Sequence, residues 1–199
     1  MLCTTLAICV KALCTVNQIK KLSAIIPILA KMFPTAKFLW MIRDANTFVN
    51  SAYPRGWFAN SEFGYNEPHP NEFFKKQVTP SLFDAYHRTN GYRCGSMTED
   101  EWKRMTAFER NCWYWSYWNR MIETHLGQLS NDRWMMIRLS ELKNKQEDIL
   151  SFLNLSKYAL QNQRTNKAKY EKLKDEDWND EMKSIYTKWC MPGMKKWFS

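Results

Sequence analysis

The feature that most limits how this chain folds is a run of apolar residues that does not alternate. Positions 36 to 42 read Ala-Lys-Phe-Leu-Trp-Met-Ile, and Arg43-Asp44 ends them abruptly. A strand with one wet face alternates apolar and polar side chains, whereas a strand covered on both faces does not. The run therefore predicts a strand buried inside a sheet. A second such run, positions 134 to 139, ends at Ser140-Glu141. Strands separated by long helical segments predict a helix-rich α/β domain with a small, mostly parallel sheet.

Helical spacing surrounds these strands. Leu22, Ile25, Ile26, Leu29 and Phe33 recur at helical intervals, Pro27 predicts a kink or restart among them, and Pro34 ends the pattern. Asp44 or Asn46 is placed to cap a helix running through Phe48 and Val49. Positions 53–95 are broken by eight prolines and glycines, from Pro54 to Gly95. They predict a long excursion with short helices near 71–77 and 81–88. Thr98-Glu-Asp-Glu101 reads as a capping box, opening a helical region that continues through 109–129. Positions 145–155 predict a short amphipathic helix, and 156–174 a basic surface loop. A last helix, about 175–190, is expected to carry Trp178, Met182, Ile185, Tyr186 and Trp189 on one face. No internal repeat occurs, and 199 residues suit one domain spanning 1–199.

Composition narrows the function classes. Ten tryptophans, nine tyrosines and eleven phenylalanines argue against disorder. A net charge of +9 favours anionic partners or serves solubility, and no nucleic-acid recognition motif accompanies it. Cys3, Cys9, Cys14, Cys94, Cys112 and Cys190 include no Cys-x-x-Cys pair, and no histidine sits at zinc spacing, so no metal is expected. Free buried thiols in a reducing compartment are the default, with a Cys94–Cys112 disulfide left open. The apolar segment 1–16 is interrupted by Lys11 and falls short of the roughly 20 residues of a membrane span. No positive charge precedes it, unlike a signal peptide. It is expected to be a buried strand or helix, or a foreign start to a truncated product. Cytoplasmic location is the default, and the Golgi lumen the alternative if the true amino terminus is missing.

Arg43 stands where α/β folds bind ligands, beyond the carboxyl end of a strand and beside a helix amino terminus. Such a terminus attracts anions, and a guanidinium grips a phosphate through two parallel hydrogen bonds. Ser51, eight residues on, adds a hydroxyl. The structural alternative is an Arg43 carboxylate pair with Ser51 as a surface hydroxyl. The run Trp113, Tyr114, Trp115, Tyr117, Trp118 points in several directions around a helix, which suits core packing better than a stacking platform.

The order of these motifs resembles the sulfotransferase family. Positions 29–51, Leu-Ala-Lys-Met-Phe-Pro-Thr-Ala-Lys-Phe through Arg43-Asp44 to Ser51, look like its stretch that binds the 3′-phosphate of 3′-phosphoadenylyl sulfate. Asp44 matches, Ala45 replaces the usual proline, and Thr47 stands where aspartate is frequent. Trp115-x-x-x-Asn119 resembles the family's Trp-x-x-x-Asn helix. Positions 133–142 are similar to its Arg-x-Leu-x-Val-Arg-Tyr-Glu-Asp-Leu strand and turn. Phe152-Leu-Asn-Leu155 resembles its Phe-Leu-Gly-Leu. Arg164-Thr-Asn-Lys167 falls where the family has a basic loop over the sulfate donor. The likeness runs from about position 22 to the end, except 53–95.

That resemblance implies a P-loop nucleotide-hydrolase-like sulfotransferase fold and in-line sulfonate transfer from 3′-phosphoadenylyl sulfate to a hydroxyl or amine acceptor, without a metal ion. The acceptor is a small molecule, glycan or peptide. It assigns Arg43 and Ser51 to the 3′-phosphate, with Arg164, Asn166 and Lys167 as further candidates. The family's Gly-rich phosphosulfate loop has no counterpart, because the first 50 residues contain no glycine. A domain incomplete at its amino terminus is therefore expected, and a non-catalytic anion- or adenosine-bisphosphate-binding remnant is the alternative. No catalytic base is assigned. His69, His87, Glu67 and Glu72 border the expected acceptor side without supporting motifs, and His125 reads as a packing residue.

Overall fold

The computed structural model describes residues 4–9, 22–55, 57–58, 88–155 and 172–199. The chain divides into two compact units. The first comprises Met1–Asp44, Tyr117–Lys167 and Phe198; the second comprises Ala45–Ser116, Ala168–Trp197 and Ser199.

In the first unit, strands β1 (Thr4–Cys9), β2 (Lys37–Ile42) and β3 (Trp134–Arg138) form one sheet in the order β1-β2-β3. β3 runs parallel to β2, with Leu39 opposite Met135 and Met41 opposite Ile137. β1 pairs antiparallel, Thr4 opposite Ile42. The sheet is therefore mixed, with the expected parallel pair joined by an antiparallel edge. Helix α1 (Ile26–Met32) follows a 3-10 turn at Leu22–Ile25, and Pro27 sits in its first turn, where a missing N–H costs nothing. The spacing overstates its apolar face. Ser23, Ile26 and Ala30 are buried, while Ile25, Ile28, Met32 and Phe33 are exposed.

Both faces of β2 are covered, which explains the unbroken apolar run. Leu39 and Met41 pack with Ile137 and with Ile149 of helix α5 (Gln146–Leu153), joined by Met135, Leu142 and Leu153. Trp40 lies on the opposite face, and its Nε1 donates to Asn119 Oδ1 at 3.3 Å. Asn119, Ile122 and Leu126 recur at helical spacing and are fully buried. Burying each large side chain contributes about 1.5–3 kcal/mol. Arg133 fastens the start of β3 to that of β2. Its Nε donates to the Ala36 carbonyl at 3.2 Å and its Nη2 to the Phe33 carbonyl at 3.0 Å. Helix α5 ends at Asn154 in the left-handed region, φ 55°, and Leu155 N–H closes back on the Leu150 carbonyl at 2.9 Å.

The second unit holds helices α2 (Ala45–Ala52), α3 (Glu99–Arg104), α6 (Asp180–Trp189) and α7 (Met191–Trp197). Helix α4 (Ala107–Leu126) contributes its residues to Ser116 here, and the remainder to the first unit. The Thr98–Glu101 capping box forms, Glu101 N–H donating to Thr98 Oγ1 and Thr98 N–H to Glu101 Oε2. The region it opens is two helices, because Met105 is extended and Thr106 Oγ1 accepts from Glu109 N–H at 3.1 Å, starting α4 afresh.

Aromatic rings fill this core. Trp102 meets Trp113 edge-on at 5.2 Å, Phe58 meets Trp102 at 5.7 Å, and Trp115 meets Trp197 at 5.7 Å. Trp113 and Trp115 are buried and Tyr114 is half-buried here, while Tyr117 and Trp118, also half-buried, belong to the first unit. Arg110 is buried among these rings and donates to the carbonyls of Phe58 at 3.0 Å and Trp102 at 2.9 Å. Burial pushes its pKa down, while Glu109 opposes this.

The carboxyl-terminal region departs from the single expected helix. Positions 175–177 form a 3-10 turn, Trp178 is extended, and Asn179 caps α6 by accepting from Met182 N–H at 2.8 Å. Trp178 therefore precedes the helix rather than lining its face. The chain then re-enters a helix at Met191 despite Pro192 and Gly193. Pro192 falls in the first turn, and a Cβ on Gly193 would lie 2.6 Å from the Trp197 ring.

Candidate functional site

The two leading site residues lie on consecutive elements. Arg43 is the first residue beyond β2, in the first unit, and is half-buried. Ser51 lies in the last turn of α2, in the second unit, and is buried. Helix α2 forms here because Ala45, Phe48, Val49 and Ala52 are apolar at helical spacing and all four are buried. Its amino terminus is not bare. Ala45 N–H points at the Met194 sulfur of α7 at 3.5 Å, a weak acceptor.

Three asparagine and aspartate side chains gather on α2. Asn50 Nδ2 donates to Asp175 Oδ1 at 2.6 Å, and Asn46 Nδ2 donates to Asp175 Oδ2. Trp178 Nε1 donates to Asn50 Oδ1 at 2.8 Å, and Leu173 N–H donates to the Asn50 carbonyl at 3.1 Å. Both polar atoms of the buried Asn50 side chain are thus used. The sequence carried a signal for this cluster, since Asn46 and Asn50 are four residues apart and so share one face of α2. It gave no sign of the partner more than 120 residues away.

Asn119, matched to the Trp-x-x-x-Asn motif, is buried as the acceptor for the Trp40 indole. Arg164, Asn166 and Lys167 lie outside the described residues, as do His69, His87, Glu67 and Glu72. His125 is half-buried in the last turn of α4, where burial pushes its pKa below the ordinary 6.5. Cys94 is exposed, Cys112 and Cys190 are buried, and all three are free thiols. Cys190 Sγ lies 3.7 Å from the Cys112 carbonyl, and burial drives the Cys112 thiol pKa well up.

Among the described residues, no group of three or more His, Cys, Asp and Glu side chains is arranged to hold a metal ion. Among them, too, no helix is long and apolar enough to cross a membrane. Comparison with protein-family models, curated proteins and solved structures gives no match.

Proposed function

We propose that this chain is a sulfotransferase-type domain that holds the ribose 3′-phosphate of 3′-phosphoadenylyl sulfate with Arg43 and Ser51. It passes the sulfonate group to a hydroxyl or amine acceptor. The observation that carries the reading is β2, a strand covered on both faces that ends at an arginine and leads into a helix with a buried serine. A guanidinium supplies two parallel donors to a phosphate, and a hydroxyl a third. The Asn154 turn adds support. Its left-handed backbone is the conformation that glycine adopts most readily, and glycine is the residue in the matching family motif.

In the transfer, the bond from sulfur to the bridging oxygen of the donor breaks, adenosine 3′,5′-bisphosphate leaves with that oxygen, and a new bond forms from sulfur to the acceptor's oxygen or, for an amine, its nitrogen. The acceptor's proton leaves to a base, and cations steady the bridging oxygen. A second reading is an adenosine-bisphosphate-binding module without turnover, which needs only the Arg43 and Ser51 contacts. The phosphosulfate end of the donor needs a glycine-bearing loop, and positions 1–50 hold no glycine.

Incubation with the 35S-labelled donor and a panel of alcohols, glycans and tyrosyl peptides tests the first reading. Calorimetric titration with adenosine 3′,5′-bisphosphate runs beside it. Transfer together with binding supports the enzyme, and binding alone supports the module. Neither transfer nor binding refutes both.

A further inference from the structure

Ser51 belongs to a helix whose neighbouring face is held by a carboxylate that the phosphate reading does not use. Asp175 accepts from both Asn46 and Asn50, and Asn50 is the residue immediately before Ser51. Asn50 also takes the Trp178 indole N–H and, through its backbone carbonyl, the Leu173 N–H. Four hydrogen bonds thus bind the segment 173–178 to α2, three of them at Asn50 in its last turn and one at Asn46 in its first. An α-helix of eight residues has little stability of its own, so its last turn is only as fixed as its tertiary partners make it.

We infer that Asp175 is a positioning residue: its carboxylate, acting through Asn50, fixes the turn of α2 that presents the Ser51 hydroxyl to the anion. This rests on the reading of Ser51 as a phosphate ligand. Two physical effects oppose each other at Asp175, and their signs separate them. As a bare negative charge it repels an anion at Ser51, so removing it tightens binding. As a clamp it holds the hydroxyl in place, and removing it weakens binding.

Asp175→Ala removes both charge and clamp. Asp175→Asn removes the charge and keeps an acceptor oxygen for the Asn50 amide. The experiment measures the dissociation constant of adenosine 3′,5′-bisphosphate by calorimetry for wild type and both variants. Leu173 amide exchange is followed in the same samples. The expected result is binding about 5- to 10-fold weaker in Asp175→Ala, with faster Leu173 exchange, and binding equal to or tighter than wild type in Asp175→Asn. Unchanged or tighter binding in Asp175→Ala overturns the inference and leaves the phosphate reading standing. Equal weakening in both variants also overturns it, since an acceptor oxygen then does not suffice. No binding by wild type removes the phosphate reading and this inference with it.

Discussion

Replacing Asn50 with alanine separates two hydrogen bonds of unequal worth. The Trp178 indole N–H donates to Asn50 Oδ1 at 2.8 Å, and Trp178 is buried. Its removal leaves a buried donor unpaired, which costs about 1–3 kcal/mol. The second bond, from Asn50 Nδ2 to Asp175 at 2.6 Å, ends on a residue that is exposed. Water replaces that donor, so its loss costs only about 0.5–1.5 kcal/mol. The total is about 1.5–4.5 kcal/mol, and the buried indole carries most of it. Urea unfolding followed by tryptophan fluorescence measures the change, with Asn46→Ala as the comparison. Asn46 is only half-buried and bonds the same exposed carboxylate, so its loss is expected below about 1 kcal/mol. A cost for Asn50→Ala as small as that of Asn46→Ala would refute the reasoning, because burial of the indole would then not matter.

Gly193→Ala places a methyl 2.6 Å from the Trp197 ring and 3.0 Å from that of Trp115, and is expected to cost about 1–3 kcal/mol in thermal or urea unfolding. Asn154 sits at φ 55°, so Asn154→Gly is expected to be neutral or stabilising and Asn154→Ala to destabilise by about 1 kcal/mol, measured the same way. The Thr98 backbone N–H, and then its hydroxyl, hold the Glu101 carboxyl below its ordinary 4.5. The stability this adds is full above 4.5 and is lost as pH falls through the folded-state value. Glu101→Gln should therefore flatten the acid limb of the stability–pH curve, and Thr98→Ala, which keeps the backbone N–H and loses only the hydroxyl, should flatten it less.

Much of the fold was legible because its signals are local. The run into Arg43 specified β2, Pro27 marked the restart of α1, and Thr98 with Glu101 fixed the start of α3. The failures have physical causes. Thr106 reads as an ordinary polar residue until its hydroxyl is seen capping α4. The last helix was expected to end at about 190, yet α7 follows it, because proline is tolerated in a first turn and Gly193 leaves room where two indoles crowd the backbone. Trp178 fits the period of α6, but Asn50 holds it in the extended chain before that helix. At the candidate site, Arg43 and Ser51 could be nominated, from their place beyond β2 together with the sulfotransferase resemblance. The Asn50–Asp175 pairing could not, because periodicity says nothing about contacts so distant in sequence.

The most direct measurement is thermal unfolding of wild type and Arg43→Ala across a titration of adenosine 3′,5′-bisphosphate. A ligand that binds only the folded chain, at 100 times its dissociation constant, adds about 2.7 kcal/mol of stability. The expected outcome is a rising midpoint in wild type that Arg43→Ala abolishes. An unmoved wild-type midpoint, or an equal rise in the variant, would contradict the assignment of Arg43 to the phosphate.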